Sequence, residues 1–131
     1  MFDSEVGNTF DGVIMYDSAD ARDMTYAKAN VLIQFNNQTI NIMNGSGYKW
    51  TAFPVAANYR YHFKVKMNAA TKKYSVWITP TWPEPGEEQL VADGYAFRNT
   101  AQEISAFGSL IPVRASQTGS YWIENHTVTA E

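Results

Sequence analysis

The residues best suited to do chemistry are Trp77 and the polar side chains that the chain's alternation places beside it. Over residues 59–79, two runs of alternating apolar and polar residues flank a short polar turn. In an extended strand Tyr59, Tyr61, Phe63, Val65 and Met67 fall on one face, and Arg60, His62, Lys64 and Lys66 on the other. After residues 68–73 the alternation resumes with Tyr74, Val76 and Ile78 pointing inward, which sets Trp77 on the side of the basic residues. An indole on a solvated sheet face can stack against the C–H face of a sugar ring while Arg60, His62 and Lys64 bond its hydroxyls. The alternation is equally met if a loop or the cationic neighbours cover Trp77 as a small satellite cluster.

Other candidates are more dispersed. Trp82 and Trp50 lie in turn-rich segments, with Tyr48 close to Trp50, and each is either a ligand contact or a side chain folded back on the body of the domain. Trp122, in a terminal strand, reads as core or sheet packing. Asn30, Gln34 and Asn41 would form an amide ladder on an outer strand face, offering donors and acceptors to hydroxyls, or simply a solvated face. Asp11, Asp17, Asp20 and Asp23 cluster around one loop and could supply the hard oxygen ligands that calcium takes, although their spacing lacks the central glycine and final glutamate of an EF-hand. A solvated acidic loop is the plainer reading of the same residues.

Catalysis has less to stand on. A glycosidase needs two carboxylates at a fixed separation across a cleft, and no strand here carries such an alternating pair. Glu84, Glu87 and Glu88 belong to a proline-rich segment and Glu124 stands alone. A lyase would want a base beside an arginine. Arg60 and His62 share a face, but Tyr74 is assigned to the opposite one, so that arrangement fails geometrically. The sequence has no nucleophile elbow, no phosphate-cradling glycine loop and no histidine pair at metal-ligand spacing.

The elements that must position these residues are strands. The 131 residues suit one domain across 1–131, with no internal repeat or linker. Strands are expected at 12–16, 29–35, 39–43, 59–67, 74–79, 89–92, 95–98, 109–114 and 121–129, the last closing on an early strand. Asn36-Asn37 reads as a hairpin turn. Residues 44–47 read as a stop, 48–50 as a loop or short strand, 80–86 as a proline-constrained loop and 100–106 as one or two helical turns. About eight to ten strands favour an all-β fold, a two-sheet antiparallel β-sandwich of jelly-roll type. Charged residues make up only 18%, the net charge is −3, and the basic residues are scattered along the sequence, which argues against nucleic acid as a partner. No apolar run reaches the roughly 20 residues a bilayer span requires, so no membrane partner is expected. The absence of cysteine excludes disulfides without assigning a compartment.

The succession Asp11-Gly12-Val13-Ile14, residues 31–41 leading to Asn44-Gly45, Tyr61-His62-Phe63-Lys64-Val65, residues 73–80 and Tyr95-Ala96-Phe97-Arg98 resembles the accessory β-sandwich modules of secreted bacterial polysaccharide-degrading enzymes, of the concanavalin-like or laminin-G-like kind. The resemblance covers most of the chain, and its elements are in part fold signatures. It departs where Trp77 replaces a commoner tyrosine and where the Trp82 segment is richer in proline and acid. The resemblance implies a secreted or cell-surface setting, a polysaccharide partner, a tethered catalytic domain from which this module is excised, and structural calcium. The expectation is a non-catalytic carbohydrate-binding module. A structural or protein-interaction domain that uses its aromatics as an interface, and a small polysaccharide lyase or hydrolase, are the alternatives. The basic outer residues further point to an acidic polysaccharide.

Overall fold

The computed structural model describes residues 12–17, 29–36, 39–56, 58–99, 106–110, 127 and 129. Eight strands run β1 (Gly12–Asp17), β2 (Val31–Phe35), β3 (Thr39–Asn44), β4 (Gly47–Pro54), β5 (Arg60–Asn68), β6 (Lys73–Trp82), β7 (Gln89–Ala96) and β8 (Ala106–Leu110). They form a five-stranded sheet in the order β4-β3-β2-β1-β8 and a three-stranded sheet in the order β5-β6-β7. All pairings are antiparallel. The fold is therefore the two-sheet antiparallel β-sandwich that the alternation predicts, with each sheet a meander and β8 returning beside β1.

The core lies between the sheets and follows from the period of two. Val31, Ile33, Phe35, Ile40, Ile42 and Phe53 from one sheet meet Tyr61, Tyr74, Val76, Ile78 and Ala92 from the other, with Phe97 closing one side. Phe35 and Phe63 pack edge to face across the gap, ring centroids 5.7 Å apart, and Phe53 does the same against Tyr61 at 5.7 Å. Polar bonds fix how the sheets sit. The Tyr74 hydroxyl donates to the Met43 carbonyl, and the Tyr61 hydroxyl donates to that of Pro54 at 2.6 Å. At the β3–β4 turn, Gly45 N–H donates to the Ala96 carbonyl (3.0 Å) and Ala96 N–H donates to Asn44 Oδ1 (3.0 Å). Gly45 has φ +61°, a conformation that suits glycine because a Cβ there meets the following carbonyl.

Several boundaries differ from those expected. Residues 44–47 make a tight turn rather than a stop, so 48–50 belong to the eight-residue strand β4. Pro54 is tolerated because β4 is an edge strand. Residues 80–82 continue β6, and only 83–88 form a loop, which folds back through Gly86 N–H donating to the Pro80 carbonyl at 3.0 Å. Residues 89–92 and 95–98 were expected as two pieces, but β7 runs through Ala96, absorbing register shifts and the φ +62° of Gly94. Strand β8 begins at Ala106, three residues before the expected start. Of the helical turns expected at 100–106, residues 100–105 lie outside the described residues and Ala106 belongs to β8; all but isolated positions of the closing strand at 121–129 lie outside as well, as does Trp122.

Candidate functional site

The predicted site residues separate onto three surfaces. The first is the outer face of the three-stranded sheet. Arg60, His62, Lys64 and Lys66 are exposed and alternate with inward Tyr61, Phe63, Val65 and Met67. In register, His62 lies opposite Thr79, Lys64 opposite Trp77 and Lys66 opposite Ser75, while Trp77 faces Leu90 on its other side. The Trp77 ring is partly buried under Lys64, whose Nζ is 4.6 Å from the ring centroid. The same Nζ donates to Glu88 Oε1 at 2.5 Å. The ammonium of Lys64 thus lies over one face of the indole, as a cation–π contact places it.

The second surface is a groove of about 270 Å³ where the two sheets part, lined by Phe53, Pro54, Tyr59, Tyr61, Pro80, Trp82, Pro83 and Glu84. Three local features build it. Strand β4 ends at Pro54, and a turn in which Tyr59 N–H donates to the Ala56 carbonyl (3.2 Å) carries the chain to the other sheet. Asn58 takes φ 62° in that turn, a conformation its short polar side chain tolerates. A register shift between Arg60 and Tyr61 sets Arg60 opposite Trp82 and Tyr61 opposite Pro80, leaving Thr81 as the extra residue. Trp82 consequently stands beyond the end of the core with 52% of its surface exposed. Tyr59 and Tyr61 continue the aromatic lining with ring centroids 6.3 Å apart. Burial, reinforced by neighbouring Tyr59, raises the Tyr61 hydroxyl above its ordinary value, so it remains a neutral donor held by Pro54. Glu84 contributes a carboxylate at the rim.

The third surface is the outer face of the five-stranded sheet, and here the sequence reading needs correction. Asn30 and Asn41 were expected to face solvent with Gln34, yet Asn30 is 0% and Asn41 2% exposed. Asn41 Nδ2 donates to Gln34 Oε1 (3.1 Å) and Thr39 Oγ1 donates to Asn41 Oδ1 (3.0 Å), so Asn41 and Gln34 engage each other, whereas the buried side-chain amide of Asn30 meets no hydrogen-bond partner among the described residues. The reason is a second apolar cluster on this face, in which Ala29, Leu32 and Met43 are buried and Tyr48 packs against them. A solvated amide ladder and an open Tyr48 are therefore not what the chain forms. Trp50, opposite Asn41 on the edge strand β4, differs from its neighbours in being 80% exposed.

Of the four aspartates, Asp11, Asp20 and Asp23 lie outside the described residues, and Asp17 ends β1 opposite Ala106. Among the described residues no group of three or more His, Cys, Asp or Glu is gathered as a metal would require. No helix among them is long and apolar enough to cross a membrane.

The sequence reading found Trp82 but not the groove around it. Tyr59 and Tyr61 were assigned to the core face, which is correct for their direction, but the core ends between them and Trp82. The signal available was the conjunction of Tyr59-x-Tyr61 at the start of one strand with Pro80-x-Trp82-Pro83 at the end of its partner.

No protein-family model matches the chain, and no solved structure matches it. The chain is 32% identical to a gellan lyase of a Bacillus species over 73 residues, 55% of the chain. Those residues span only 3% of the length of that relative. The similarity links this β-sandwich to a segment of a polysaccharide-degrading enzyme.

Proposed function

We propose that this domain is a non-catalytic polysaccharide-binding module whose binding site is the Trp82 groove. The observation that carries the reading is the exposure of Trp82 at the wall of an aromatic groove with Tyr59, Tyr61 and Pro80. Such a groove offers flat apolar surfaces for the C–H faces of sugar rings, with Glu84 and the nearby Arg60 as hydrogen-bonding groups for hydroxyls. The similarity to a segment of a gellan lyase supports a polysaccharide setting, in which the module holds a tethered catalytic domain of a secreted enzyme near its polymer. A shallow site of this kind binds weakly once and gains by repetition along the polymer. Native affinity electrophoresis through gels containing gellan and a panel of neutral and acidic polysaccharides, with calcium and with chelator, tests this. Retardation by at least one polymer supports the reading, and the chelator lanes report any calcium requirement. Free migration through every gel contradicts it.

A second reading rests on Trp50. An indole 80% exposed on an edge strand suits a protein interface. Association with itself that rises with concentration and disappears in Trp50→Ala supports this alternative.

A further inference from the structure

The chain carries a net charge of −3, yet the outer face of the three-stranded sheet is basic. Arg60, His62, Lys64 and Lys66 are exposed along β5, and exposed Lys73 follows the alternation of Ser75 and Trp77 on β6. The described carboxylates in contact with this face are Glu88, which is paired with Lys64, and Asp93, whose Oδ1 is 3.4 Å from Ser75 Oγ. Alternate residues of a strand advance about 6.8 Å, so the β5 row extends roughly 20 Å. That length suits several charges of a linear polymer better than one small anion. The row leads directly to the groove, because Arg60 at its end is the ladder partner of Trp82.

We propose that the β5 row binds the carboxylates of an acidic polysaccharide strand whose neighbouring sugar rings occupy the Trp82 groove. The proposal rests on the polysaccharide-binding reading and names its ligand class. Glu84 at the groove rim disfavours an acidic group there and directs the polymer's carboxylates toward β5. Glu88 occupies Lys64 in the absence of ligand, at 2.5 Å, and acts as an internal competitor. A sugar carboxylate takes the place of Glu88 on Lys64, while Arg60 and Lys66 supply charge on either side.

The test is affinity electrophoresis of the whole chain against alginate and polygalacturonate, each beside its carboxyl-reduced form, over a series of salt concentrations. A single-stranded DNA gel shift serves as a second polyanion. The expected result is retardation by at least one acidic polymer that exceeds its reduced form by about tenfold or more and weakens as salt shortens the screening length. Glu88→Gln is expected to strengthen acidic binding about twofold to fivefold, the range of an exposed ion pair, without changing binding of the reduced polymer. Lys64→Gln with Lys66→Gln, both outside the groove lining, removes the acidic preference and leaves the remaining binding in place. Equal, salt-independent affinity for acidic and reduced polymers overturns the acidic class while leaving the glycan groove intact. Binding to neither form overturns the proposal, and the reading beneath it falls as well only if gellan and the neutral polymers also fail to retard the chain. DNA bound as tightly as the best acidic polymer makes the face a general anion exchanger and overturns its assignment to a glycan.

Discussion

Lys64 lies directly opposite Trp77 in the β5–β6 ladder, and its ammonium sits 4.6 Å from the centre of the indole while paired with Glu88. Alternation left Trp77 either an open platform or a side chain covered by its cationic neighbours, and the Lys64 contact matches the second. Side chains of Lys64 and Glu88 remain 50% and 42% exposed, so solvent screens both contacts. Removing this contact with Lys64→Ala is expected to cost less than about 1 kcal/mol in urea denaturation. The same substitution increases acrylamide quenching of the indole fluorescence, measured in a Trp50→Phe, Trp82→Phe, Trp122→Phe background. Unchanged quenching contradicts the contact.

Tyr74 ties the sheets together through its hydroxyl. It is 2% exposed and donates to the Met43 carbonyl across the core. Tyr74→Phe keeps the ring and deprives that carbonyl of its donor, so a loss of about 1–2 kcal/mol is expected from urea unfolding at neutral pH. A loss below a few tenths of a kcal/mol contradicts a structural role for this bond.

The same hydroxyl makes alkaline stability a second readout. Burial, chiefly, raises both Tyr74 and Tyr61 above the ordinary tyrosine value of 10.0. In the unfolded chain both release their protons near pH 10, whereas in the folded chain they retain them, so the unfolded state binds fewer protons above that pH. Stability is therefore unaffected by these groups below pH 10 and falls as pH rises beyond it. The limiting slope is about 1.4 kcal/mol per pH unit for a fully buried tyrosine. Tyr61 and Tyr74 act in the same direction, each chiefly through burial. Urea midpoints measured from pH 8 to pH 11 are expected to be level and then to decline, with a shallower decline in Tyr74→Phe.

Strict alternation made much of this fold legible. Tyr61, Tyr74, Val76 and Ile78 were assigned inward and are buried, and Arg60, His62, Lys64 and Lys66 were assigned outward and are exposed. Alternation reports a side chain's direction and not what covers it. Leu32 and Asn41 point away from the main core as expected, yet both are buried because a second apolar cluster occupies that face. Residues 44–47 were read as an end because Gly-Ser-Gly punctuates a chain in many ways, and only pairing with β3 shows them to be a hairpin turn. Strand order was not readable from the alternation, since it depends on contacts between distant segments. The groove was missed for a related reason. It exists only because Tyr59 and Trp82, 23 positions apart, meet where the core runs out.

The central claim is that Trp82 carries polysaccharide binding, and the most direct measurement compares the wild-type chain with Trp82→Ala and Trp77→Ala in affinity gels containing the polymer that retards wild type most. Circular dichroism of each variant serves as a check on folding. Trp82 is half exposed and Trp77 lies beneath Lys64, so Trp82→Ala is expected to abolish retardation, a loss of at least about tenfold for one stacked aromatic anchor. Trp77→Ala is expected to retain most of it. A folded Trp82→Ala variant retarded as strongly as wild type would contradict the account.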